Sequence, residues 1–169
     1  QGNGTILKKI PLFFKNFSQD PLRKLVYEMK ELNFTPGEVI FAPNEIDDNS
    51  LFIVRKGEVE LYVETPKFLD PITIVRKVKE NEVFGELSFF SWKERECFAR
   101  SASFTSLFII TQKDFLNIIQ SNTEDYQIYC EIKDNINLYE EYKRLFIKCF
   151  SCKAKDHSRN REESLDKFE

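Results

Sequence analysis

The chain has 169 residues, enough for one domain of ordinary size and a short appendage. Hydrophobic residues make up 41% of it and 17 residues are Phe, so a sizeable core can form. The formal net charge of −3 disfavours nucleic acid as a partner. No apolar run approaches the roughly 18 residues that span a membrane, and no signal peptide opens the chain, so we expect a soluble cytosolic segment.

The N-terminal part predicts short helices. Thr5–Ile10 is typical of a helical turn that ends at Pro11, and Asp20-Pro21 predicts a helix start with Asp20 as the cap. The apolar residues that follow at helical spacing are Leu22, Leu25, Val26, Met29 and Leu32. We therefore predict a helical N-terminal segment over residues 1–33. Because the chain opens on Gln1 rather than Met, we expect it to be a piece of a longer protein.

A series of short strands separated by turn signals follows. The predicted strands are Val39–Phe41, Leu51–Arg55, Glu58–Glu64, Ile72–Lys79, Cys97–Phe104 and Ser106–Ile110. In Glu58–Glu64, apolar residues alternate with Glu and Tyr, which indicates a strand with one solvent-facing side. The predicted fold class is α+β: an antiparallel β-barrel or jelly roll over residues 34–110, flanked by N-terminal helices and two C-terminal helices.

The C-terminal part predicts two helices and a tail. Thr111–Asp114 is typical of a helix cap, and a longer helix is predicted over Tyr126–Phe150. Its intermittent apolar stripe consists of Tyr129, Ile132, Ile136, Tyr139, Leu145 and Phe146. The helical region covers residues 111–150. Residues 151–169 are polar and charged, and we expect a flexible tail there.

The run Phe84-Gly85-Glu86-Leu87, with Arg95 nine positions after Glu86, carries the clearest chemical signal. A Gly beside a short helical segment lets backbone N–H groups approach an anion closely. Glu86 can accept hydrogen bonds from sugar hydroxyls, and Arg95 can hold a phosphate with its planar, permanently charged fork. Such a turn suits a ribose phosphate. The other interpretation is a buried Arg–Glu pair that only fixes the turn.

Residues 84–99, FGELSFFSWKERECFA, resemble the phosphate cassette of the cyclic nucleotide-binding domain family, with the Phe-Gly-Glu and the Arg in register. The resemblance implies that Glu86 binds the ribose 2′-hydroxyl and Arg95 the cyclic phosphate, assisted by the backbone of Gly85, Glu86 and Leu87. Departures from the family pattern are Ser88, Glu96, Cys97 and Phe98. In the family a Thr or Ser at the position of Phe98 favours cGMP, so its replacement predicts a preference for cAMP.

Weaker similarities extend the resemblance over about Ile10 to Leu145. They comprise Ile10–Phe13, Phe34–Ile40, Leu51–Val54 and Lys56–Leu61. The sequence of entry turn, β-structure and long final helix looks most like that of the regulatory domain of a cyclic nucleotide-modulated cation channel. The resemblance implies cAMP or cGMP as ligand, no cofactor, and a cytoplasmic position in a parent protein, expected to be a membrane channel. A homo-oligomer through that parent is a further expectation.

The final helix is predicted to close over the base as a lid, with Asn135, Ile136 and Tyr139 nearest the ligand. The alternative is a helix packed permanently on the β-structure. The complete set of predicted ligand-binding residues is Phe84, Gly85, Glu86, Leu87, Ser88, Arg95, Glu96, Cys97, Phe98, Asn135, Ile136 and Tyr139.

Other functions fit the sequence poorly. Cys149 and Cys152 with His157 lack a fourth zinc ligand at suitable spacing, and with only one His no His-based catalytic group can be built. We therefore expect that the chain is not an enzyme, that it binds no metal and that its cysteines are reduced. The aromatic residues near Trp92 lack the basic groove that single-stranded nucleic acid requires. The remaining alternative is a domain that keeps the family fold but no longer binds nucleotide and acts as a structural or protein-interaction module.

Overall fold

The computed structural model describes residues 3–65 and 71–147, and two four-stranded antiparallel sheets form its centre. The strands are β1 (Lys30–Phe34), β2 (Val39–Phe41), β3 (Leu51–Lys56), β4 (Val59–Glu64), β5 (Ile72–Val78), β6 (Val83–Phe84), β7 (Phe98–Ser101) and β8 (Thr105–Ile110). The strand orders are β1-β8-β3-β6 and β2-β7-β4-β5, so most neighbouring strands come from distant parts of the chain, and only β4 and β5 are also consecutive. The predicted antiparallel jelly roll is confirmed, although the strands form two sheets rather than one closed barrel.

Helices flank the sheets in sequence at both ends, as predicted. The N-terminal ones are α1 (Asn3–Ile6), α2 (Pro11–Phe14) and α3 (Gln19–Glu28), and α4 (Glu86–Ser91) lies between β6 and β7. The C-terminal ones are α5 (Gln112–Ile119) and α6 (Thr123–Tyr139). Two short 3₁₀ turns span Leu7–Lys9 and Lys143–Leu145. The predicted cap of α5 is present, since the Thr111 side chain accepts a hydrogen bond from the backbone N–H of Asp114.

The prediction of helix up to residue 33 is wrong at its C-terminal end. Helix α3 stops at Glu28, Met29 is extended, and β1 begins at Lys30 and pairs with β8. Leu32 continued the helical spacing by coincidence and lies on the exposed edge strand β1, 49% exposed. The helix also starts earlier than predicted, because Ser18 is its N-cap and Asp20 lies in the first turn.

The alternation predicted for Glu58–Glu64 breaks in the middle of β4. The register between β4 and β5 shifts between Leu61 and Tyr62, where an irregularity of the bulge type interrupts the pairing. As a result the Tyr62 side chain, predicted on the solvent side, is buried and stacks on Phe98 with ring centroids 5.0 Å apart.

The final helix is shorter than predicted and begins earlier. Helix α6 starts at Thr123, capped by the Asn122 side chain, and ends at Tyr139, because Glu140 adopts the left-handed conformation with φ of 48°. The chain then forms the 3₁₀ turn Lys143–Leu145 rather than more α-helix. The predicted helix end at 148–150 and the predicted tail at 151–169 lie outside the described residues.

Two apolar clusters hold the described part together. One lies among strands of both sheets: Phe41, Phe52, Val54, Val59, Leu61, Val78, Phe84, Ala99 and Leu107. The other joins the N-terminal helices to α4, α5 and α6, with Phe89, Phe90, Phe115 and Tyr129 in mutual ring contact. The segment Phe84–Phe90 contributes to both clusters, so the turn between β6 and α4 is fixed at their boundary.

The described residues contain no helix long and apolar enough to cross a membrane. Cys97 and Cys130 are free thiols. The other two cysteines, Cys149 and Cys152, lie outside the described residues.

Candidate functional site

The turn at Gly85 needs glycine for two reasons. Its φ of 82° lies in the left-handed region, where a Cβ atom is disfavoured. A Cβ there would also lie 2.8 Å from Nη1 of Arg95 and 3.0 Å from the carbonyl oxygen of Ser50. The missing side chain therefore lets the Arg95 guanidinium approach the start of α4.

Helix α4 opens at the same point. Its first helical hydrogen bond runs from the N–H of Phe89 to the carbonyl of Gly85, at 3.2 Å. The N–H groups of Glu86, Leu87 and Ser88 therefore precede the intrahelical ladder, and they are the type of donor that accommodates an anion.

Glu86 is buried, and its two carboxylate oxygens have different surroundings. Oε1 accepts a hydrogen bond from Nη1 of Arg76 at 3.2 Å, in an ion pair whose side chains are 11% and 5% exposed. Arg76 also donates to the carbonyl oxygen of Val83, so both ends of its fork are fixed. Oε2 is buried and has no hydrogen-bond partner among the described residues. A buried carboxylate oxygen without a partner loses the hydrogen bonds it had in water, which favours a donor at this position.

Arg95 is held by the loop before β3. It donates two hydrogen bonds to the Asp47 carboxylate, both at 3.1 Å, one to the Ser50 carbonyl at 2.7 Å and one to the Gly85 carbonyl at 2.9 Å. Its guanidinium also lies over the Phe41 ring, 4.4 Å from the centroid. These contacts orient the fork, and they use four of its five N–H groups, leaving one on Nη1 for a further acceptor.

Glu86 and Arg95 line the same cavity, which has a volume of about 340 Å³. This volume lies in the range of small-molecule sites. The cavity is lined by Phe41, Leu61, Val63, Val75, Arg76, Gly85, Glu86, Leu87, Ser88, Ser91, Lys93, Glu94, Arg95, Glu96, Cys97, Ile136, Tyr142 and Ile147. The lining from β4 and β5 is apolar apart from Arg76, while the turn into α4 supplies polar lining. The cavity therefore combines an apolar surface with a small set of oriented polar groups.

The charged lining is balanced, with three basic residues (Arg76, Lys93 and Arg95) and three acidic ones (Glu86, Glu94 and Glu96). Such a lining suits a ligand of low charge better than a polyanion. Burial, and then the negative charge of Glu86, raises the pKa of the Cys97 thiol to about 11. Cys97 is therefore a neutral, weakly polar part of the wall at physiological pH.

Eight of the twelve residues predicted from the sequence line this cavity: Gly85, Glu86, Leu87, Ser88, Arg95, Glu96, Cys97 and Ile136. Four do not. Phe84 is fully buried between the sheets, and Phe98, the first residue of β7, stacks on Tyr62. On α6 the cavity is met by Ile136, whereas Asn135 is on a different side and Tyr139, at the helix end, is 66% exposed.

The most important residues that the sequence did not reveal are Arg76 and Asp47. Each contacts a predicted residue only because the fold brings distant segments together, Arg76 from β5 to Glu86 and Asp47 from the loop before β3 to Arg95. The only local signal was the pair of charged residues Arg76 and Lys77 in β5, which does not by itself indicate which of the two is buried. Tyr142 and Ile147, which follow α6, were also missed as lining residues.

The cavity and its turn agree with the comparison to known families. Residues 31–122 match the family described as "Cyclic nucleotide-binding domain". The chain belongs to this family. The matched region starts in β1 and ends just before α6, so it contains both sheets and the whole turn from Phe84 to Arg95.

Curated relatives of this cyclic nucleotide-binding domain are plant potassium channels. Potassium channel AKT1 of Arabidopsis thaliana is 31% identical over 122 residues, which are 72% of this chain and 14% of the relative. Potassium channel AKT1 of Oryza sativa subsp. indica is 31% identical over 112 residues, which are 66% of this chain and 12% of the relative. The chain thus spans about one seventh of the length of these relatives.

Solved structures share the fold at low sequence identity. The N-terminal domain of a transcriptional regulator from Streptomyces coelicolor superposes with a TM-score of 0.64 at 21% identity, covering 75% of this chain and 85% of that one. The regulatory domain of Toxoplasma gondii PKA, solved with cAMP, superposes with a TM-score of 0.60 at 18% identity, covering 75% of this chain and 54% of that one. The jelly roll with flanking helices is therefore shared by proteins of different overall function.

Proposed function

We propose that this domain binds a cyclic nucleotide, cAMP or cGMP, in the cavity beside α4 and uses it to regulate a larger protein. The observation that carries the proposal is the pairing of two groups at one end of the cavity: the buried Oε2 of Glu86, which has no described partner, and the oriented Arg95 fork. A ribose hydroxyl would supply the donor that Oε2 lacks. The single negative charge of a cyclic phosphate suits Arg95 and the first-turn amides of α4.

The apolar wall supports the same assignment. A purine is flat and largely apolar on its faces, and Leu61, Val63 and Val75 supply apolar lining of the same cavity. Nothing in this proposal requires chemistry on the ligand. We propose a binding module rather than an enzyme.

Arg95→Ala tests the phosphate contact. Removing one member of a buried, charge-assisted contact costs about 2–5 kcal/mol, so the affinity for cAMP or cGMP should fall by more than tenfold. Arg95→Lys keeps the charge but not the fork and should recover only part of the loss. The matched control is Arg100→Ala, because Arg100 pairs with Glu60 and stacks on Tyr62 outside the cavity lining. Affinity that is equal in wild type and Arg95→Ala would contradict the proposed site.

The role of Glu86 is tested with a modified ligand. The 2′-deoxy analogue of cAMP lacks the hydroxyl that should donate to Oε2, so it should bind the wild-type domain about tenfold or more weakly than cAMP. In Glu86→Ala the two nucleotides should bind alike. If the 2′-deoxy analogue binds more weakly than cAMP by the same factor in wild type and in Glu86→Ala, the hydroxyl is recognised by a group other than Glu86.

The preference for cAMP stays a prediction. It rests on Phe98, which in the structure stacks on Tyr62 and does not line the cavity, so its lack of a hydroxyl does not bear directly on the base. A competition assay with both nucleotides decides the preference, and cGMP binding at least tenfold more tightly would contradict it.

We propose further that the parent protein is a cation channel in a membrane, since the curated relatives are potassium channels. The domain would lie on the cytoplasmic side and would be brought into an oligomer by the parent. The sequence upstream of Gln1 in the parent gene tests this proposal. Several hydrophobic segments of membrane-spanning length support it, and a kinase or DNA-binding domain without such segments contradicts it.

The second candidate is a domain of this fold that binds no nucleotide. The observation that favours it is that Tyr142 and Ile147, from the segment after α6, already line the cavity. A ligand at about 100 times its dissociation constant should stabilise the folded state by roughly 2.7 kcal/mol. No change in Tm with millimolar cAMP or cGMP would favour this second candidate over nucleotide binding.

A further inference from the structure

Helix α4 ends on an unusual residue. Trp92 is its C-cap and adopts φ of 67° and ψ of 11°, in the left-handed region that bulky side chains rarely occupy. Its N–H donates to the Ser88 carbonyl at 3.0 Å, a helix-ending contact for which Gly is the usual residue. A Trp in this conformation carries strain that its surroundings must offset.

The contacts that offset this strain come from α6. The indole Nε1 of Trp92 donates to the hydroxyl of Tyr129 at 2.9 Å, and the ammonium of Lys133 lies 3.6 Å from the Trp92 ring centroid. A cation over an indole face is a favourable pairing. Trp92, with its left-handed backbone, therefore makes both a hydrogen bond and a cation–π contact to helix α6.

The Tyr129 hydroxyl ties α6 to α4 at a second point. It donates to the carbonyl of Phe89 at 2.7 Å while it accepts from Trp92. Burial raises the pKa of Tyr129, so the hydroxyl keeps the proton that this arrangement needs. A separate bond from Nδ2 of Asn137 to the Ser91 carbonyl, at 3.2 Å, joins the same two helices.

The other end of α4 faces the cavity. Glu86 is the first residue of the helix, Trp92 is its C-cap, and Ser91 beside Trp92 also lines the cavity, so the six-residue helix α4 connects the cavity to α6. A shift of Glu86 or of the first-turn amides would act on Trp92 through this short helix. Conversely, a departure of α6 removes the contacts that hold Trp92 in its strained conformation.

We propose that Trp92 is a positioning residue, a strained latch between α4 and α6 that makes the position of α6 depend on occupancy of the cavity. The ligand part of this inference rests on the proposed nucleotide function. The latched and released states differ in the contacts of Trp92. A ligand that interacts differently with the two arrangements of α4 shifts the balance between them, and α6 affects ligand affinity by the same factor.

Three variants of the 169-residue chain test the latch. Trp92→Gly keeps the left-handed cap without strain and removes the side-chain contacts. Tyr129→Phe removes the hydroxyl that joins the two helices. Tyr126→Phe is the matched control, since Tyr126 is on the same helix and is 41% exposed. Hydrogen exchange of the amides of residues 129–139 is measured without ligand and with saturating cAMP or cGMP, and binding is measured by calorimetry.

Without ligand, we expect these amides to exchange at least tenfold faster in Trp92→Gly and Tyr129→Phe than in wild type and Tyr126→Phe. With ligand, wild type should gain further protection in α6, whereas Trp92→Gly should bind nucleotide with no change in α6. Trp92 is the only Trp of the chain, so its fluorescence in wild type should change along the same binding curve.

Two results would overturn the proposal. One is equal exchange of α6 without ligand in wild type, Trp92→Gly and Tyr129→Phe. The other is a ligand-induced change in α6 of Trp92→Gly that equals the wild-type change. If wild type binds neither nucleotide, the proposed function fails, and the exchange measured without ligand alone decides on the latch.

Discussion

At the scale of single residues, the contacts of Arg95 bear most directly on the proposed anion contact. Two hydrogen bonds to Asp47 and two to backbone carbonyls orient its guanidinium before any ligand binds. The same Asp47 carboxylate places a negative charge next to the position that a phosphate would take. The Asp47 carboxylate therefore stabilises the ligand-free protein but should weaken the binding of an anion. Both effects can be measured.

Asp47→Asn should weaken the unliganded fold and strengthen anion binding. Loss of the charge on one partner of this largely buried pair should lower the stability of the free protein by about 1–3 kcal/mol. Because Arg95 would then gain more from a phosphate, nucleotide affinity should rise by roughly threefold or more. Thermal unfolding and calorimetric titration measure the two effects. Asp48→Asn is the control, since Asp48 contacts Ser50 rather than Arg95. A fall in affinity would contradict the idea that Asp47 competes with the ligand.

Cys97 should be a poor nucleophile although it lines the cavity. Its pKa is raised to about 11, mainly by burial, so at pH 8 very little thiolate exists in the folded state. Alkylation of Cys97 by iodoacetamide, followed by peptide mass spectrometry, should be about tenfold or more slower in the folded protein than in urea. The folded-state rate should rise with pH up to about 11. Equal rates in the folded and unfolded chain at pH 8 would contradict this assignment.

The sequence could predict residues whose role depends on a local pattern. Glu86 and Arg95 belong to one short segment, so their spacing in the chain is enough to bring them to one turn. Arg76 and Asp47 could not be predicted in the same way, because their contacts depend on how β5 and the loop before β3 pack against that segment. Phe98 lies outside the cavity lining because it starts β7 and stacks on Tyr62, which depends on how β7 pairs with β4, and its role in ligand binding stays a prediction.

At the scale of elements, the turn from β6 into α4 decides whether the site exists. Gly37 and Gly85 share the same φ of 82°, but a Cβ at Gly37 would meet nothing within 4 Å. At Gly85 it would meet Arg95 and Ser50. Substitution of Gly37 should therefore show the cost of backbone strain alone, whereas substitution of Gly85 should also show the cost of taking space from the Arg95 side chain.

Gly37→Ala should cost about 1–2 kcal/mol of stability from the left-handed backbone alone. Gly85→Ala should cost at least about 1 kcal/mol more, because the added methyl group displaces the Arg95 fork. It should also weaken nucleotide binding strongly, whereas Gly37→Ala should not. Urea unfolding and calorimetric titration of the two variants give this comparison, and equal effects of both substitutions would refute the close approach of Arg95 to Gly85.

Element boundaries were less predictable than element types. The end of α3 was missed because Leu32 continued the helical spacing, while pairing of β1 with β8 imposes a strand from Lys30 onward. The end of α6 was missed because Leu145 and Phe146 continue the apolar pattern of the helix beyond Tyr139. In the structure Leu145 is buried from a 3₁₀ turn instead of an α-helix. A spacing pattern does not show where the backbone changes conformation between two buried residues.

At the scale of the whole molecule, the N-terminal segment is joined to the part of the chain that borders the cavity. Nδ2 of Asn16 donates to the Arg144 carbonyl at 2.7 Å, and the backbone N–H of Ser18 donates to the Asp125 carboxylate at 2.9 Å. Asn16 and Asp125 are both buried. Tyr142 and Ile147, on either side of Arg144, line the cavity, so the N-terminal segment is hydrogen-bonded to a segment that borders the cavity.

The most direct test of the central claim is an experimental structure of this chain with cAMP or cGMP. We expect the nucleotide in the cavity beside α4, with a phosphate oxygen bonded to Nη1 of Arg95 and to first-turn amides of α4, and a ribose hydroxyl bonded to Oε2 of Glu86. A nucleotide bound at another place, or a cavity filled by the chain's own residues at millimolar nucleotide, would contradict it.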